Sequence, residues 1–168
     1  LSGAESRQHF RSYMATAGWE SMERWALCDD LINVTKALEQ NIKKGVSAPK
    51  GNIDIVMAPE VTGIAVHESG GHPYEADRVL GREAAQAGES FITPQMIGKK
   101  IGSNIVNIVD DPTVEGGAGY YMYDDEGVKA RRKFMVKNGI ITELMHNRET
   151  AAELGMENNA GARASNFD

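Results

Sequence analysis

The chain has 168 residues, of which 41% are hydrophobic and 25% are charged, and its formal net charge is −6. This balance is typical of a soluble globular protein, whereas a nucleic-acid-binding domain more often carries a basic surface. The single cysteine, Cys28, excludes an internal disulfide framework, and no apolar run reaches membrane-spanning length. Neither nucleic acid nor a membrane is therefore an expected partner.

An amphipathic helix is the first element predicted. Between Trp19 and Lys44, apolar residues recur at three- and four-residue steps, which favours one helix with one apolar face. Gly45 and Pro49 follow and suit a helix end and a linker. We therefore expect residues 1–49 to form the helical end of a preceding domain.

A strand–helix unit is predicted next. Residues 53–57 alternate in polarity and indicate a short strand. Pro59 and Glu60 suit the first turn of a helix, because proline has no N–H to lose there and a carboxylate meets the positive end of the dipole. This helix should reach His72, and a further short helix is expected over 76–88.

The remaining sequence is predicted to be rich in strands. Residues 105–109 indicate one strand, and Asn138-Gly139 between the apolar segments 128–136 and 140–145 is a strong hairpin signal. Residues 148–154 should form a short helix. The predicted fold class is α+β, with a helical lead-in, a strand–helix unit and a mostly antiparallel sheet.

The predicted helix after Pro59 carries the motif His-Glu-x-x-x-His, formed by His67, Glu68 and His72. Imidazole nitrogen is a good zinc ligand, and catalytic zinc sites usually combine three protein ligands with a water. A carboxylate beside the metal can accept a proton from that water and pass it to a leaving amine. In this interpretation His67 and His72 bind zinc, and Glu68 is the general base.

The spacing of the two histidines requires a distorted helix. They lie five residues apart, a step that rotates by roughly 140° on a regular α-helix and aims the two rings apart. A π-type turn would bring them together, and Gly70 and Gly71 lie inside the interval. Two mid-helix glycines lower the stability of a helix by about 1–2 kcal/mol. The alternative, a chance motif on an ordinary helix, does not explain this loss.

Residues 63–77, which include this motif, resemble the signature of the TldD/PmbA metallopeptidase family, and specifically its TldD branch. Residues 108–113, 123–128 and 148–152 are similar to later segments of the same family, in the same order. The resemblance covers roughly residues 25–168. The partner branch of the family lacks the histidine motif, so the resemblance points to the catalytic branch.

The resemblance implies a zinc-dependent peptidase that hydrolyses flexible or unfolded peptides, with zinc-bound water as nucleophile and Glu68 as base. It also implies a cysteine as third zinc ligand, well downstream. Cys28 lies upstream and is expected to be a buried apolar residue, so we expect the third ligand beyond residue 168. Residues 50–168 should then begin the catalytic domain, incomplete at its C-terminus. A cytoplasmic setting and a dimer, with a related subunit or with itself, are also implied.

Glu75 and Asp77 follow the motif and are candidates for contacts behind the metal ligands. Either carboxylate could orient a histidine, as carboxylates commonly do around zinc, and Glu75 could instead be a substitute ligand. The alternative for both is a solvated, acidic helix start. No residue is assigned to substrate binding by the sequence.

Two other functions stay open at this point. One is a non-catalytic scaffold or partner-binding subunit that retains the histidines as a structural metal site, and the other is a metal hydrolase of non-peptide amides. The carboxylates at 110–111 and 124–126 are expected to be turn residues, and the resemblance places both segments beside the substrate channel. The basic run 129–133 is expected to be a solvated sheet face.

Overall fold

The computed structural model describes residues 6–164, which divide into two units, the first ending at Val56 and the second beginning at Met57. The structure contains helices as well as an antiparallel sheet. Among the described residues, no helix is both long and apolar enough to cross a membrane.

The first unit contains α1 (Glu20–Arg24) and α2 (Leu27–Lys44), where a single helix was predicted. The prediction is wrong at Ala26, whose φ of 45° is left-handed and therefore interrupts a right-handed helix. None of the residues of α2 is buried. The expected burial of Cys28 is also wrong, because this side chain is exposed.

The strand predicted over residues 53–57 is absent from the structure. This segment is an exposed, irregular chain, and the described residues offer it no partner strand. Alternating polarity alone does not make a strand, since backbone N–H and C=O groups need a neighbouring ladder. The helical half of the predicted strand–helix unit is present.

The second unit opens with α3 (Pro59–Val66), which continues into a π-helical turn (His67–Gly71) and a 3-10 turn (His72–Tyr74). Two short helices follow, α4 (Ala76–Val79) and α5 (Ala84–Ala87), in place of the one predicted over 76–88. A further 3-10 turn spans Pro94–Met96.

The sheet has the order β1-β2-β3, with both pairs antiparallel, as predicted. Its strands are β1 (Ile108–Asp110), β2 (Lys133–Lys137) and β3 (Ile140–Ile141). Asn138 and Gly139 have φ values of 51° and 75°, which are the left-handed conformations that a tight two-residue hairpin turn requires. The predicted hairpin is therefore confirmed.

Asp110 and Lys133 face each other across β1 and β2 and form a fully buried ion pair, with Oδ2 and Nζ 2.7 Å apart. The expectation that the basic run lies on a solvated face is wrong for Lys133. Asp111 and Asp124 accept hydrogen bonds from nearby backbone N–H groups, as predicted for turn residues. The same prediction is wrong for Asp110, which is a buried residue of β1.

The residues after the hairpin return to the 3-10 turn and help to close the core. Met145 N–H donates to the Tyr74 carbonyl (2.8 Å), and Ala76 N–H donates to the Met145 carbonyl (2.9 Å). The last helix of the described residues is α6 (Arg148–Leu154), which Asn147 caps. The core comprises Tyr74, Ala76, Ile92, Met135, Val136, Ile141, Leu144 and Met145. The predicted α+β class is confirmed.

Candidate metal centre

The π-helical turn His67–Gly71 brings the two histidines of the motif onto one side of the helix. Their ring centroids lie 4.5 Å apart, with the rings nearly perpendicular at 87°. A π turn adds one residue to the helical repeat, so a five-residue step returns to the same face. The predicted distortion is confirmed.

Two imidazoles and a carboxylate converge at this turn. Donor atoms of His67, Glu68 and His72 all lie within 4.8 Å of one another. His67 and His72 are partly buried, whereas Glu68 is exposed. Nitrogen and oxygen donors of this kind suit zinc, and three of them converging on one point fit a metal ion.

Gly70 is where the turn packs against the sheet. It is buried, and a Cβ atom placed there would come within 3.0 Å of two side-chain carbons of Ile108 in β1. That approach is tighter than ordinary van der Waals contact. A glycine at this position therefore allows the π-helical turn to lie directly on β1.

Glu75 lies behind His72 and is fully buried. Its Oε1 is 3.0 Å from Nδ1 of His72 and also accepts a hydrogen bond from the backbone N–H of Ala164 (3.0 Å). Because an ionised carboxylate can only accept a hydrogen bond, we assign the ring proton to Nδ1, a tautomer in which Nε2 is available as a metal ligand. The alternative of a solvated helix start is wrong for Glu75.

Arg78 completes the environment of Glu75, and the sequence analysis did not identify it. Its Nε donates to Oε2 of Glu75 at 2.5 Å. The i, i+3 spacing of a glutamate and an arginine was the available signal, since such residues are neighbours on a helical surface. The Glu75 carboxylate is thus held by His72, Arg78 and a backbone amide.

Asp77 has different contacts. Its carboxylate forms an ion pair with Arg163 and accepts a hydrogen bond from the backbone N–H of Arg78 (2.8 Å). Arg163 also lies 3.3 Å from Glu83. In the described part of the chain, these contacts of the Asp77 carboxylate involve neither histidine of the motif.

A pocket of about 200 Å³ opens beside the donor cluster. Glu68, His72 and the segment 87–91 are among the residues that line it. A larger groove of about 500 Å³ lies elsewhere in the unit, between the segments 118–126 and 160–164. The smaller pocket contains the residues suited to metal chemistry, so it is the candidate active site despite its size.

Tyr121 lines the larger groove. Burial, together with the nearby carboxylates of Asp110 and Asp124, raises the pKa of Tyr121 to about 12. The phenol therefore stays protonated at neutral pH, and it donates a hydrogen bond to the Ala160 carbonyl. This tyrosine supports the chain that leads towards Ala164.

The convergent histidines and carboxylate define a class of protein with a candidate catalytic metal centre. Residues 50–168 match the family described as "PmbA/TldA metallopeptidase C-terminal domain". A metalloprotease of Methanothermobacter thermautotrophicus is 39% identical over 92% of this chain and 32% of its own length. A zinc metalloprotease TldD homolog of Saccharolobus solfataricus is 34% identical over 82% of this chain and 29% of its own.

The chain belongs to the TldD/PmbA family of metallopeptidases. It spans less than a third of the length of these two relatives. It is also similar to the crystal structure of TldE from Thermococcus kodakarensis, with 22% identity and a TM-score of 0.40 over 58% of this chain and 21% of the other.

Proposed function

We propose that the full-length protein is a cytoplasmic, zinc-dependent peptidase of the TldD-like branch that cleaves flexible or unfolded peptides. The observation that carries the proposal is the convergence of His67, Glu68 and His72 within 4.8 Å on a π-helical turn. A regular α-helix with the same sequence would separate the two rings. Relatives named as metalloproteases support the same chemistry.

In this proposal His67 and His72 hold the zinc ion, and a cysteine beyond residue 168 completes the site. When bound, zinc supplies a Lewis acid that lowers the pKa of a coordinated water and polarises the scissile carbonyl. Glu75 fixes the ring of His72 through Nδ1 and so keeps Nε2 directed at the site. Glu75 is therefore a positioning residue and not a substitute ligand.

Glu68 is the proposed general base. It is exposed and lines the pocket with His72, so its carboxylate can reach both water and a bound peptide. It takes the proton of the attacking water and delivers it to the nitrogen of the leaving amine. The pocket beside it provides room for the residues that flank the scissile bond.

The wider organisation follows the family resemblance. We propose that residues 50–168 begin the catalytic domain and that residues 1–49 end the domain before it. We also propose a dimer, either with a related subunit or with a second copy.

The decisive experiment compares Glu68→Gln with Glu60→Gln in the full-length protein. Both glutamates are exposed, and Glu60 lies in the first turn of α3, outside the donor cluster. Loss of the general base in Glu68→Gln should lower cleavage of an unstructured peptide by at least about 100-fold. In Glu60→Gln, both the zinc content and the activity should stay at the unmutated level. Zinc content is measured by mass spectrometry and cleavage by fluorescence.

Unchanged cleavage by the Glu68 variant would show that Glu68 is not the general base. A zinc-loaded, unmutated protein that cleaves no peptide would favour the scaffold function instead. Cleavage of small amides without cleavage of peptides would favour the non-peptide hydrolase.

A further inference from the structure

We propose that Arg78, besides holding Glu75, hydrogen-bonds an oxygen atom of the bound peptide in the pocket beside Glu68 and His72. This inference rests on the proposed function, because it assumes that peptides occupy that pocket. The chemical group recognised is a planar oxygen acceptor, either a backbone carbonyl or a C-terminal carboxylate.

The orientation of the Arg78 guanidinium is fixed by a buried partner. Its Nε–H donates to Oε2 of Glu75, whose carboxylate is fully buried and is held in turn by His72 and the Ala164 amide. The side chain of Arg78 is only 20% exposed. A guanidinium is a rigid planar fork, so one anchored edge determines where the other edge points.

The other edge has donors to spare. A guanidinium carries five N–H groups, and only Nε–H has a protein acceptor among the contacts of residues 6–164. Nη2 lies 3.5 Å from Nδ1 of His72, but that nitrogen already donates to Glu75 and cannot accept. The remaining donors are open to solvent and are not sealed in the interior, so an oxygen atom of a ligand can replace water at this edge.

Arg78 lines the same pocket as the proposed catalytic groups Glu68 and His72. Ser90, which also lines the pocket, is held in place, since its Oγ donates to the Pro73 carbonyl (2.6 Å) and accepts from the N–H of the buried Ile92 (3.0 Å). A peptide oxygen entering this pocket therefore meets a pre-positioned cationic donor.

Oxygen acceptors fit this edge better than an amine. Arg78 is already paired with the negative charge of Glu75. Its free N–H groups can only donate hydrogen bonds, and paired N–H donors match the geometry of a carboxylate. The pocket's other charged lining residues, Glu68 and Glu89, are both exposed carboxylates, and neither pairs with Arg78 in the described chain. Arg78 is thus the positioned group, and it selects for oxygen.

The test is peptide binding by the full-length protein after its zinc has been removed with a chelator. The probe is a fluorescein-labelled decapeptide of Ala, Gly, Leu and Ser, made once as the free acid and once as the C-terminal amide, and binding is followed by anisotropy. The variants are Arg78→Lys and Arg78→Gln. Arg82→Gln is the matched control, because Arg82 pairs with Glu149 and Glu153 outside the pocket.

We expect Arg78→Lys to weaken peptide binding about tenfold or more, because lysine keeps the positive charge but lacks the planar pair of N–H donors. Its zinc affinity should change much less, since a lysine can still pair with Glu75. Equal losses for both probes identify a backbone carbonyl, and a loss confined to the free acid identifies a C-terminal carboxylate. Arg78→Gln should bind no more tightly than Arg78→Lys, and Arg82→Gln should bind like the unmutated protein.

Unchanged affinity in Arg78→Lys, an equal loss in Arg82→Gln, or no binding by the unmutated protein would overturn the inference. Failure of the proposed function is distinguishable. If binding depends on Arg78 but the zinc-loaded protein cleaves neither probe nor other peptides, the peptidase proposal fails alone. If peptides are cleaved and neither the binding affinity nor KM changes in the Arg78 variants, the inference about Arg78 fails and the proposed function stands.

Discussion

Two buried acid–base pairs in the second unit illustrate different uses of the same chemistry. Asp110 and Lys133 are sealed between β1 and β2, with both side chains fully buried. Glu75 is equally buried, but its partner Arg78 extends to a pocket that also contains Glu68 and His72. Burial of a charge therefore does not mark a functional site by itself. The distinguishing feature is that Arg78 lines a cavity beside Glu68 and His72.

Breaking the sealed pair should have the largest effect. Lys133→Met leaves the Asp110 carboxylate buried without its cation, which should lower the free energy of unfolding by about 3–5 kcal/mol. Denaturant unfolding of the full-length protein measures the change. Replacing both residues, as Asp110→Leu with Lys133→Met, should recover most of the loss. A loss below 1 kcal/mol in Lys133→Met would show that the carboxylate is easily solvated or protonated.

Changing the pair at the pocket should act on the metal. Glu75→Gln keeps the shape of the side chain but removes the charge that orients His72, so zinc affinity should fall about 10–100-fold. Competition with a chromogenic chelator measures it. If zinc affinity is unchanged, the His72–Glu75 contact does not position a ligand, and the two pairs differ less than we infer.

Weakening an exposed pair should have the smallest effect. Asp77 pairs with Arg163, whose side chain is 52% exposed, and exposed pairs contribute about 0–1 kcal/mol. Asp77→Asn should therefore change unfolding by less than about 1 kcal/mol and leave zinc affinity unaltered in the same chelator assay. A loss of zinc affinity comparable to that of Glu75→Gln would place Asp77 among the residues that support the ligands.

Features that depend on local sequence were predictable. The Asn138-Gly139 hairpin and the helix Arg148–Leu154 have their signals within a few residues. The π turn was predictable as well, because the five-residue spacing and the glycines Gly70 and Gly71 can be combined with helical geometry. In each case the residues that determine the structure lie next to one another in the chain.

Features that depend on distant partners were not predictable. Lys133 is buried because Asp110 faces it from a strand that precedes it by 23 residues, and a basic run gives no sign of that. Glu75 could be assigned only as one of three possibilities, since one of its partners is the amide of Ala164, 89 residues later. The strand predicted over residues 53–57 is absent for the complementary reason. Its sequence pattern is present, but the described residues provide no partner strand.

The contact between Ala164 and Glu75 has a consequence for how the proposed metal site forms. During synthesis, both histidines leave the ribosome long before residue 164 exists. Until that amide is in place, the carboxylate behind His72 lacks one of its three supports. We therefore expect the proposed site to capture an ion tightly only after the later chain has returned, and a half-made polypeptide to hold metal more loosely than the finished one.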